Sequence, residues 1–356
     1  MYRRQHRARA RWSSRRRHAL RRVAPGGHVP LPHRGRVGVG AVTVAESVIR
    51  TDLAGAIGES VLDLQPIPEG HSGFTYWVEL SGRRAVLRLP PPGARIAGPA
   101  DIPRQGRIMQ ALHGQGIPVP GIIAMSAEPV VDGRPYVLME ALPGERIEAA
   151  AAAGSDPLEL ARSAIEVLQA LQATPPAQSG IGGEPPVSLQ GELQRWTWLM
   201  ERAPAELTGN APQLARLLET GVPHDTGPVM VHGDYHFGNM LFARRRVSAV
   251  LDWEIAELGH PLLDLCCLCV VFQGGDDEGT RGWGASKGLE PDAVRDIFGA
   301  DPSEFRWTLG LTYYKYAAIL GYNLMLHRRG KRPDPSYEGR TGTIVGFIQA
   351  GLRLLA

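Results

Sequence analysis

The sequence of 356 residues predicts an α+β protein with a small β-rich N-terminal lobe and a larger helical C-terminal lobe. The first observation is a series of short apolar runs within the first 142 residues, with the length and composition typical of strands. The second is that the apolar spacing becomes helical after residue 145, apart from one β-like island at 228–254. The third is length, because domains usually hold about 100–200 residues and this chain has room for two.

The N-terminal lobe is expected to span residues 42–142 and to combine an antiparallel sheet with a helix. In chain order the predicted elements are a helix at 45–62, strands at 72–80 and 84–90, a helix at 101–113, and strands at 121–127 and 135–142. Ser81-Gly82 between the first two strands indicates a β-hairpin. Pro103 lies in the first turn of its helix, where proline is tolerated. The last strand ends at Pro143-Gly144, and we expect the hinge between the lobes at 139–145.

The C-terminal lobe is expected to span residues 143–356 and to be mainly helical. Its predicted helices lie at 156–173, 189–206, 211–220, 260–272, 303–328 and 341–355. The apolar run before residue 272 carries Asp264 and is shorter than the ~18–20 residues of a membrane span, so no membrane association is expected. The cysteines Cys266, Cys267 and Cys269 lie in the same run. Three thiols in one short segment cannot make a disulfide framework, so we expect buried thiols and a cytoplasmic location.

Arginine is concentrated in the first 40 residues, which hold twelve arginines and neither Asp nor Glu. Without that segment the chain has 27 basic residues against all 36 acidic ones, so the folded body is not expected to bind nucleic acid. Residues 1–41 have no apolar core of a secretory signal. An organellar transit peptide and a nucleic-acid-binding arm stay open as alternatives. We favour a disordered extension, with a translation start near Val42.

The segment 228–265 places acidic and amide side chains at the ends of strand-like runs. A short apolar run leads into Asp234, Asn239 follows five residues later, and a two-strand excursion returns the chain to Asp252. One base and two oxygen ligands for a hard cation such as Mg2+ are what phosphoryl transfer requires. The alternative is a pair of turn residues and a buried acid. That alternative fits either motif alone, but fits poorly with H-G-D-x4-N followed thirteen residues later by L-D-W-E.

These motifs identify a family resemblance that covers roughly residues 45–355. The stretches that carry it are HSGFTYWVEL, RRAVLRLPPPG, GIPVPG, YVLMEALPGE, the LQRWTW region, HGDYHFGNMLF and VLDWEIAELGHPLLDL, of which the last two are specific. The sequence resembles the aminoglycoside phosphotransferase and choline-kinase-like superfamily, and more narrowly the branch associated with acyl-CoA dehydrogenases. The resemblance implies a protein-kinase-like bilobal fold and a functional link to an acyl-CoA dehydrogenase.

The same resemblance implies roles for individual residues. Asp234 is the expected catalytic base, and Asn239 is expected to serve both the catalytic loop and, with Asp252, the Mg2+ ion. His232 and Asp264 are expected to brace the loop. The nucleotide, ATP or GTP, is expected to contact the Gly-rich turn through Gly70, Ser72 and Gly73, the strand residue Arg88, and the hinge through Glu140 and Leu142.

The sequence departs from the superfamily pattern at two positions. Arg88 stands where a lysine is usual, and Gln105 stands where its helix glutamate partner is expected. Two interpretations follow: an active enzyme in which Gln105 positions Arg88, or a catalytically weak nucleotide-binding pseudokinase. We favour activity, because the expected base and metal ligands are all present.

The residues expected to contact the acceptor lie in the C-terminal lobe. Candidate substrate residues are His236, Trp253, Glu254, Tyr314 and Lys315. The resemblance favours a hydroxy acid or acyl derivative, and an aminoglycoside is the alternative. The predicted function is therefore ATP-dependent transfer of the γ-phosphoryl group to a hydroxyl of a small molecule.

Overall fold

The computed structural model describes residues 39–67, 74–152, 156–270 and 289–356. It confirms the predicted bilobal α+β architecture, with a five-stranded antiparallel sheet in the first lobe and mainly helices in the second. Among the residues that the structure describes, no helix has the combined length and apolar character of a bilayer crossing. Residues 1–38 of the leader lie outside the described residues. Helix α1 (Val39–Ile57) begins three residues before the expected start of the N-terminal lobe at residue 42.

The N-terminal sheet has the strand order β1-β2-β3-β5-β4. Its strands are β1 (Asp63–Pro66), β2 (Phe74–Leu80), β3 (Arg83–Leu89), β4 (Ile122–Val131) and β5 (Arg134–Glu140). The hairpin expected at residues 81–82 joins β2 to β3, with Leu80 opposite Arg83. Strand β3 also pairs with β5, which places Arg88 opposite Val137 in the middle of the sheet. The sheet therefore holds Arg88 on a strand with partners on both sides.

Helix α2 (Ile102–His113) lies close against the sheet because one of its residues has no side chain. A Cβ atom at Gly106 would meet Val137 Cγ2 at 2.7 Å and Met125 Sδ at 2.9 Å. Asp101 caps the helix by accepting the Arg104 N–H at 3.0 Å. The glycine that weakens the helical propensity is thus the residue that lets α2 approach β4 and β5.

The C-terminal lobe is built around one long central helix, α9. The helices are α3 (Ile147–Ala152), α4 (Pro157–Ala173), α5 (Leu189–Met200), α6 (Ala211–Thr220), α7 (Leu262–Val270), α8 (Pro291–Phe298), α9 (Pro302–Arg328) and α10 (Thr341–Leu355). Helices α5, α7 and α10 pack on α9, and its middle is buried on all sides. The three cysteines of α7 are free and buried, as expected.

Two short antiparallel strand pairs lie at the boundary between the lobes. They are β6 (Val229–Val231) with β9 (Glu257–Gly259), and β7 (Met240–Ala243) with β8 (Arg246–Val250). The linker between the lobes is attached to the second pair: Glu145 and Phe242 exchange two backbone hydrogen bonds of 2.8 Å. The Val250 N–H donates to the Pro118 carbonyl at 2.7 Å and adds a second link between the lobes.

Candidate active site

The loop that follows β6 is held in place by a buried carboxylate. The backbone N–H groups of His232 and Gly233 donate to the two carboxylate oxygens of Asp264, at 2.7 and 2.9 Å. Gly233 has a φ of 85°, and a Cβ atom there would meet the Ile255 carbonyl oxygen at 2.6 Å. Only glycine fits this turn. The geometry agrees with the expected role of Asp264 as a brace for the loop.

His232 joins the same loop to the segment that carries Asp252. Its Nδ1 accepts the backbone N–H of Asp234 at 3.2 Å, so the proton lies on Nε2, which donates to the Leu251 carbonyl at 2.8 Å. The ring lies 4.5 Å from the ring of Trp253. Burial lowers the pKa of His232 despite the charge of Asp264, and the imidazole is neutral. His232 thus connects the loop after β6 to the segment that carries Asp252. Both of its ring nitrogens are engaged in these hydrogen bonds, so its role here is structural.

Asp264→Asn is expected to lower the free energy of unfolding by about 2 kcal/mol, because an amide nitrogen would face one of the two buried N–H donors. Chemical denaturation measures the change. Glu166→Gln is the matched control, since Glu166 pairs with Arg246 at an exposed surface site. A loss for Asp264→Asn no larger than that of the control would contradict the bracing role.

The Asp234 carboxylate receives hydrogen bonds at both oxygens. Tyr316 OH donates to Oδ1 at 2.7 Å, and Asn239 Nδ2 donates to Oδ2 at 3.1 Å and to the Asp234 carbonyl at 3.0 Å. His236 Nε2 lies 3.3 Å from Oδ2. Burial by itself would raise the pKa of the Asp234 carboxyl. The His236 contact, followed by the Lys315 charge, outweighs burial and holds that pKa well below its usual range.

The structure brings Asp234, Asn239 and Asp252 to one place. Asn239 contacts Asp234 through its side chain, and its carbonyl accepts the N–H of Leu251, the neighbour of Asp252, at 2.8 Å. Asp252 has a φ of 67°, the left-handed region that aspartate adopts more readily than most residues. The backbone turn at Asp252 therefore lies beside the loop that carries Asp234 and Asn239.

The donor set suits a hard divalent cation. The Asn239 amide nitrogen faces Asp234, so the amide oxygen points away from that carboxylate. The Asp252 side chain is 38% exposed and offers a carboxylate. In the described part of the chain, no three His, Cys, Asp or Glu side chains form a metal-binding group. One carboxylate with one amide oxygen matches Mg2+, which keeps several positions for water and phosphate oxygens.

Arg88 reaches across the cleft to this site. Its Nη1 donates to Asp252 Oδ1 at 3.1 Å. The expectation that Gln105 positions Arg88 stays a prediction: the Gln105 amide nitrogen donates to the Pro99 carbonyl at 3.0 Å, and its buried Oε1 has no hydrogen-bond partner among the described residues. Gln105 is buried within α2. Arg88 instead pairs with Asp252 of the C-terminal lobe. Because the Gln105 side chain is uncharged, it cannot form an ion pair with Arg88 that would compete with the Arg88–Asp252 pair.

A second arginine, Arg104 of α2, joins the lobes where the usual lysine–glutamate ion pair is missing. Arg104 donates to both carboxylate oxygens of Glu184 at 2.7 Å, and its Nη2 also donates to the Ala256 carbonyl at 2.8 Å. Ala256 lies in the loop that follows Asp252. The guanidinium fork thus fixes α2 to the segment that carries the metal-ligand candidate.

Arg104→Lys is expected to lower the free energy of unfolding by about 1–2 kcal/mol, because lysine keeps the charge but cannot make the two-pronged contact. Denaturant titration measures the loss. Arg107→Lys provides the control, since Arg107 is an exposed residue of the same helix. Equal free energies of unfolding for the two variants would show that the contacts of Arg104 with Glu184 and Ala256 do not stabilise the protein.

The nucleotide residues expected from the sequence are only partly described. Gly70, Ser72 and Gly73 lie outside the described residues. The strands that flank them, β1 and β2, pair antiparallel with Leu64 opposite Val78. Glu140 ends β5 and donates its N–H to the Gly121 carbonyl at 2.9 Å, while Leu142 is half-buried in the linker.

Three of the expected substrate residues do not face a cleft. Trp253, Tyr314 and Lys315 are each less than 5% exposed. The Trp253 indole donates to the Val250 carbonyl at 3.1 Å, and Tyr314 OH donates to Thr197 Oγ1 at 3.3 Å. The structure thus places all three in packing or hydrogen bonding inside the lobe, and their expected contact with the acceptor stays a prediction.

The remaining two substrate candidates stay close to the reacting region. Glu254 is half-buried two residues after Asp252. His236 is 12% exposed, and its Nδ1 accepts the Gly238 N–H at 3.0 Å, which leaves Nε2 to face Asp234. His236 therefore contacts the expected base itself.

Sequence reasoning missed Tyr316 and the part that Arg104 plays. Tyr316 lies 82 residues after Asp234 in the chain, and its position in an aromatic helix gave no sign of its partner. The missing lysine–glutamate pair was the one available signal that another cation holds α2.

Comparison with known proteins places the chain among phosphotransferases. A sequence profile of the phosphotransferase enzyme family matches residues 63–297, about two thirds of the chain. Acyl-CoA dehydrogenase family member 10 of Mus musculus is 31% identical over 235 residues, which are 62% of this chain and 21% of that protein. This chain thus matches between about a fifth and a third of the length of its curated relatives.

Solved structures share the fold. A candidate aminoglycoside phosphotransferase from Ralstonia eutropha superposes with a TM-score of 0.68 at 22% identity, over 88% of this chain and 98% of that one. Aminoglycoside phosphotransferase APH(4)-Ia, in a ternary complex with AMP-PNP and hygromycin B, gives a TM-score of 0.60 at 15% identity. That match covers 86% of this chain and 99% of the other.

Proposed function

This chain belongs to the phosphotransferase enzyme family, and on that premise we propose that it is a small-molecule kinase using ATP or GTP. The observation that carries the proposal is the junction at Asn239, whose side chain contacts Asp234 and whose carbonyl holds the residue before Asp252. A base and two oxygen ligands in one place are the parts that phosphoryl transfer requires.

In the proposed reaction, Asp234 orients an acceptor hydroxyl and takes its proton as the new O–P bond forms. The bond between the γ-phosphorus and the bridging oxygen breaks, and the nucleoside diphosphate leaves with that oxygen. Because its pKa is low, Asp234 is ionised at neutral pH and accepts the hydroxyl hydrogen bond throughout. Its main contribution is orientation, since the transition state is loose and needs little nucleophilic push.

Asn239 and Asp252 would hold the Mg2+ ion, which supplies charge neutralisation to the phosphates when bound. Arg88 pairs with Asp252 in this structure and carries the charge that a phosphate would attract. Its planar guanidinium can bind two phosphate oxygens through parallel N–H donors, a fixed geometry that the lysine ammonium group does not have.

A hydroxy acid or an acyl derivative is our preferred acceptor, and a functional link to an acyl-CoA dehydrogenase accompanies it. The support is the similarity to acyl-CoA dehydrogenase family members, of which this chain covers one part. The alternative is an aminoglycoside, supported by a shared fold with a phosphotransferase solved with hygromycin B. The buried free thiols favour a reducing cytoplasm.

The test has two stages. First, binding of ATP and GTP is measured by calorimetry with and without Mg2+. Second, hydroxy acids, hydroxyacyl thioesters and aminoglycosides are compared as acceptors by following nucleoside diphosphate release and phosphorylated product. Nucleotide binding without transfer to any acceptor or to water would favour the pseudokinase interpretation, and no binding at all would reject the kinase proposal.

A further inference from the structure

Two neighbouring residues of α9, Lys315 and Tyr316, lie against the loop that carries Asp234. They are 4% and 6% exposed, so both are part of the interior of the lobe. Consecutive helical residues project about 100° apart, and these two accordingly reach different parts of the loop. Lys315 reaches the main chain, and Tyr316 reaches the carboxylate.

Lys315 fixes the peptide bond that leads into Asp234. Its Nζ donates to the Gly233 carbonyl oxygen and lies 3.5 Å from Cys267 Sγ. Cys267 Sγ donates to the same carbonyl at 3.7 Å. Because the Gly233 N–H is bound to Asp264, this peptide segment is held on both its donor and its acceptor side. The backbone of Asp234 then has little freedom to rotate.

The Lys315 ammonium group is also compensated electrostatically. It lies 5.3 Å from the ring centroid of Trp196 and 5.5 Å from that of Tyr316, both within the range of cation–π contact. The negative charges of Asp234, Glu192 and Asp264 act on it from three elements of the lobe. These aromatic rings and carboxylates stabilise the positive charge of the buried Lys315 side chain, which stays in contact with the Gly233 carbonyl.

Tyr316 fixes the carboxylate itself. Its hydroxyl donates to Oδ1 of Asp234 at 2.7 Å, while Asn239 and His236 contact Oδ2. Its ring is supported by Phe347 at 6.5 Å. Contacts on both oxygens set the plane of the carboxylate, and Oδ1 keeps one lone pair for an acceptor hydroxyl.

We propose that Lys315 and Tyr316 are positioning residues for phosphoryl transfer: Lys315 sets the backbone of the catalytic base, and Tyr316 sets the plane of its carboxylate. This inference rests on the proposed function. Neither residue touches the reacting atoms, and each acts through Asp234. Alignment of the acceptor oxygen with the phosphorus dominates a loose transfer reaction, so a small rotation of the carboxylate slows the reaction without weakening nucleotide binding.

The principal test is Tyr316→Phe, which removes one oxygen and keeps the ring. Steady-state hydrolysis of Mg·ATP, with water as acceptor, is followed together with nucleotide affinity and the thermal midpoint. We expect kcat to fall roughly 10- to 100-fold, with KM and nucleotide Kd within about twofold of wild type. Tyr313→Phe is the matched control, because Tyr313 is a buried tyrosine of α9 that also packs on Phe347. It should keep the wild-type kcat.

Lys315→Met and Lys315→Arg test the main-chain contact. Methionine should lower kcat by a similar factor, and arginine, which keeps a charged donor, should restore part of it. If Lys315→Met does not fold, Tyr316→Phe alone decides. If Tyr316→Phe has the same kcat as Tyr313→Phe, the inference is overturned. The kinase proposal is unaffected by that result as long as the wild-type protein turns over Mg·ATP. A wild-type protein that neither binds nor hydrolyses Mg·ATP would overturn the kinase proposal first, and the inference with it.

Discussion

Asp234→Asn is expected to lower phosphoryl-transfer turnover roughly 100- to 10,000-fold, the range typical of removing a positioned general base. Asparagine has nearly the same shape but has one acceptor oxygen where aspartate has two, so either Tyr316 or Asn239 loses the acceptor of its hydrogen bond. It cannot accept the hydroxyl proton, and an amide nitrogen on one side would face a donor. Nucleotide affinity should stay within about threefold of wild type, because Asp234 is not expected to contact the phosphates.

The measurement is single-turnover transfer or hydrolysis at saturating Mg·ATP, with nucleotide Kd determined separately. Asp292→Asn serves as control, since that aspartate is 76% exposed and pairs with Arg295 on α8. Turnover by Asp234→Asn at the wild-type rate would reject Asp234 as the base. Loss of nucleotide binding in the same variant would instead show that the residue holds the nucleotide site together.

Asp252→Asn is expected to remove most of the Mg2+ dependence of nucleotide binding and to weaken Mg·ATP affinity by roughly 100-fold or more. Changing a partner of a metal ligand already costs about 10- to 100-fold in metal affinity, and a ligand should cost at least as much. The variant should fold normally, because the Asp252 side chain is 38% exposed and its pair with Arg88 is partly open to solvent.

Calorimetry with ATP in the presence and absence of Mg2+ separates the metal effect from the nucleotide effect. Arg88→Met is the useful comparison: it breaks the same ion pair but leaves the carboxylate in place. It should therefore weaken nucleotide binding while keeping the Mg2+ requirement. An unchanged Mg2+ requirement in Asp252→Asn would count against the metal role of that carboxylate.

Local spacing predicts that the segments carrying Asp234, Asn239 and Asp252 lie close together. Asp234 and Asn239 are five residues apart, and the β7–β8 hairpin between Asn239 and Asp252 forces the two ends of the excursion together. Helix α6 was likewise predicted with the observed bounds, because its apolar face is short, regular and ended by glycine. Both features depend on residues that are close in the sequence or joined by one hairpin, and such local interactions can be predicted from the sequence.

The parts that sequence could not predict depend on contacts between distant segments. Arg88 and Asp252 are 164 residues apart, and no local pattern reveals that they pair. The Gln105 amide nitrogen donates to the Pro99 carbonyl, a contact that no pattern in the neighbouring sequence predicts. Short elements were missed for another reason: β1 has four residues including a proline and shows no strong alternation.

The burial of Lys315 is the clearest example of such a long-range effect. A lysine in a run of tyrosines and small residues is ordinarily read as pointing to solvent or into a cleft. In the folded chain the Gly233 carbonyl and the acidic side chains around it make the interior acceptable for a cation. That environment exists only once α5, α7 and α9 have come together.

The two backbone links between the lobes restrict how they can move. One joins Glu145 to Phe242 and the other joins Pro118 to Val250, and both use the β7–β8 ribbon. Because both links meet on one ribbon, a rotation of the first lobe that moves it away from β7 and β8 has to break backbone hydrogen bonds. Such a rotation would also have to break the Arg88–Asp252 ion pair and the contact of Arg104 with the Ala256 carbonyl.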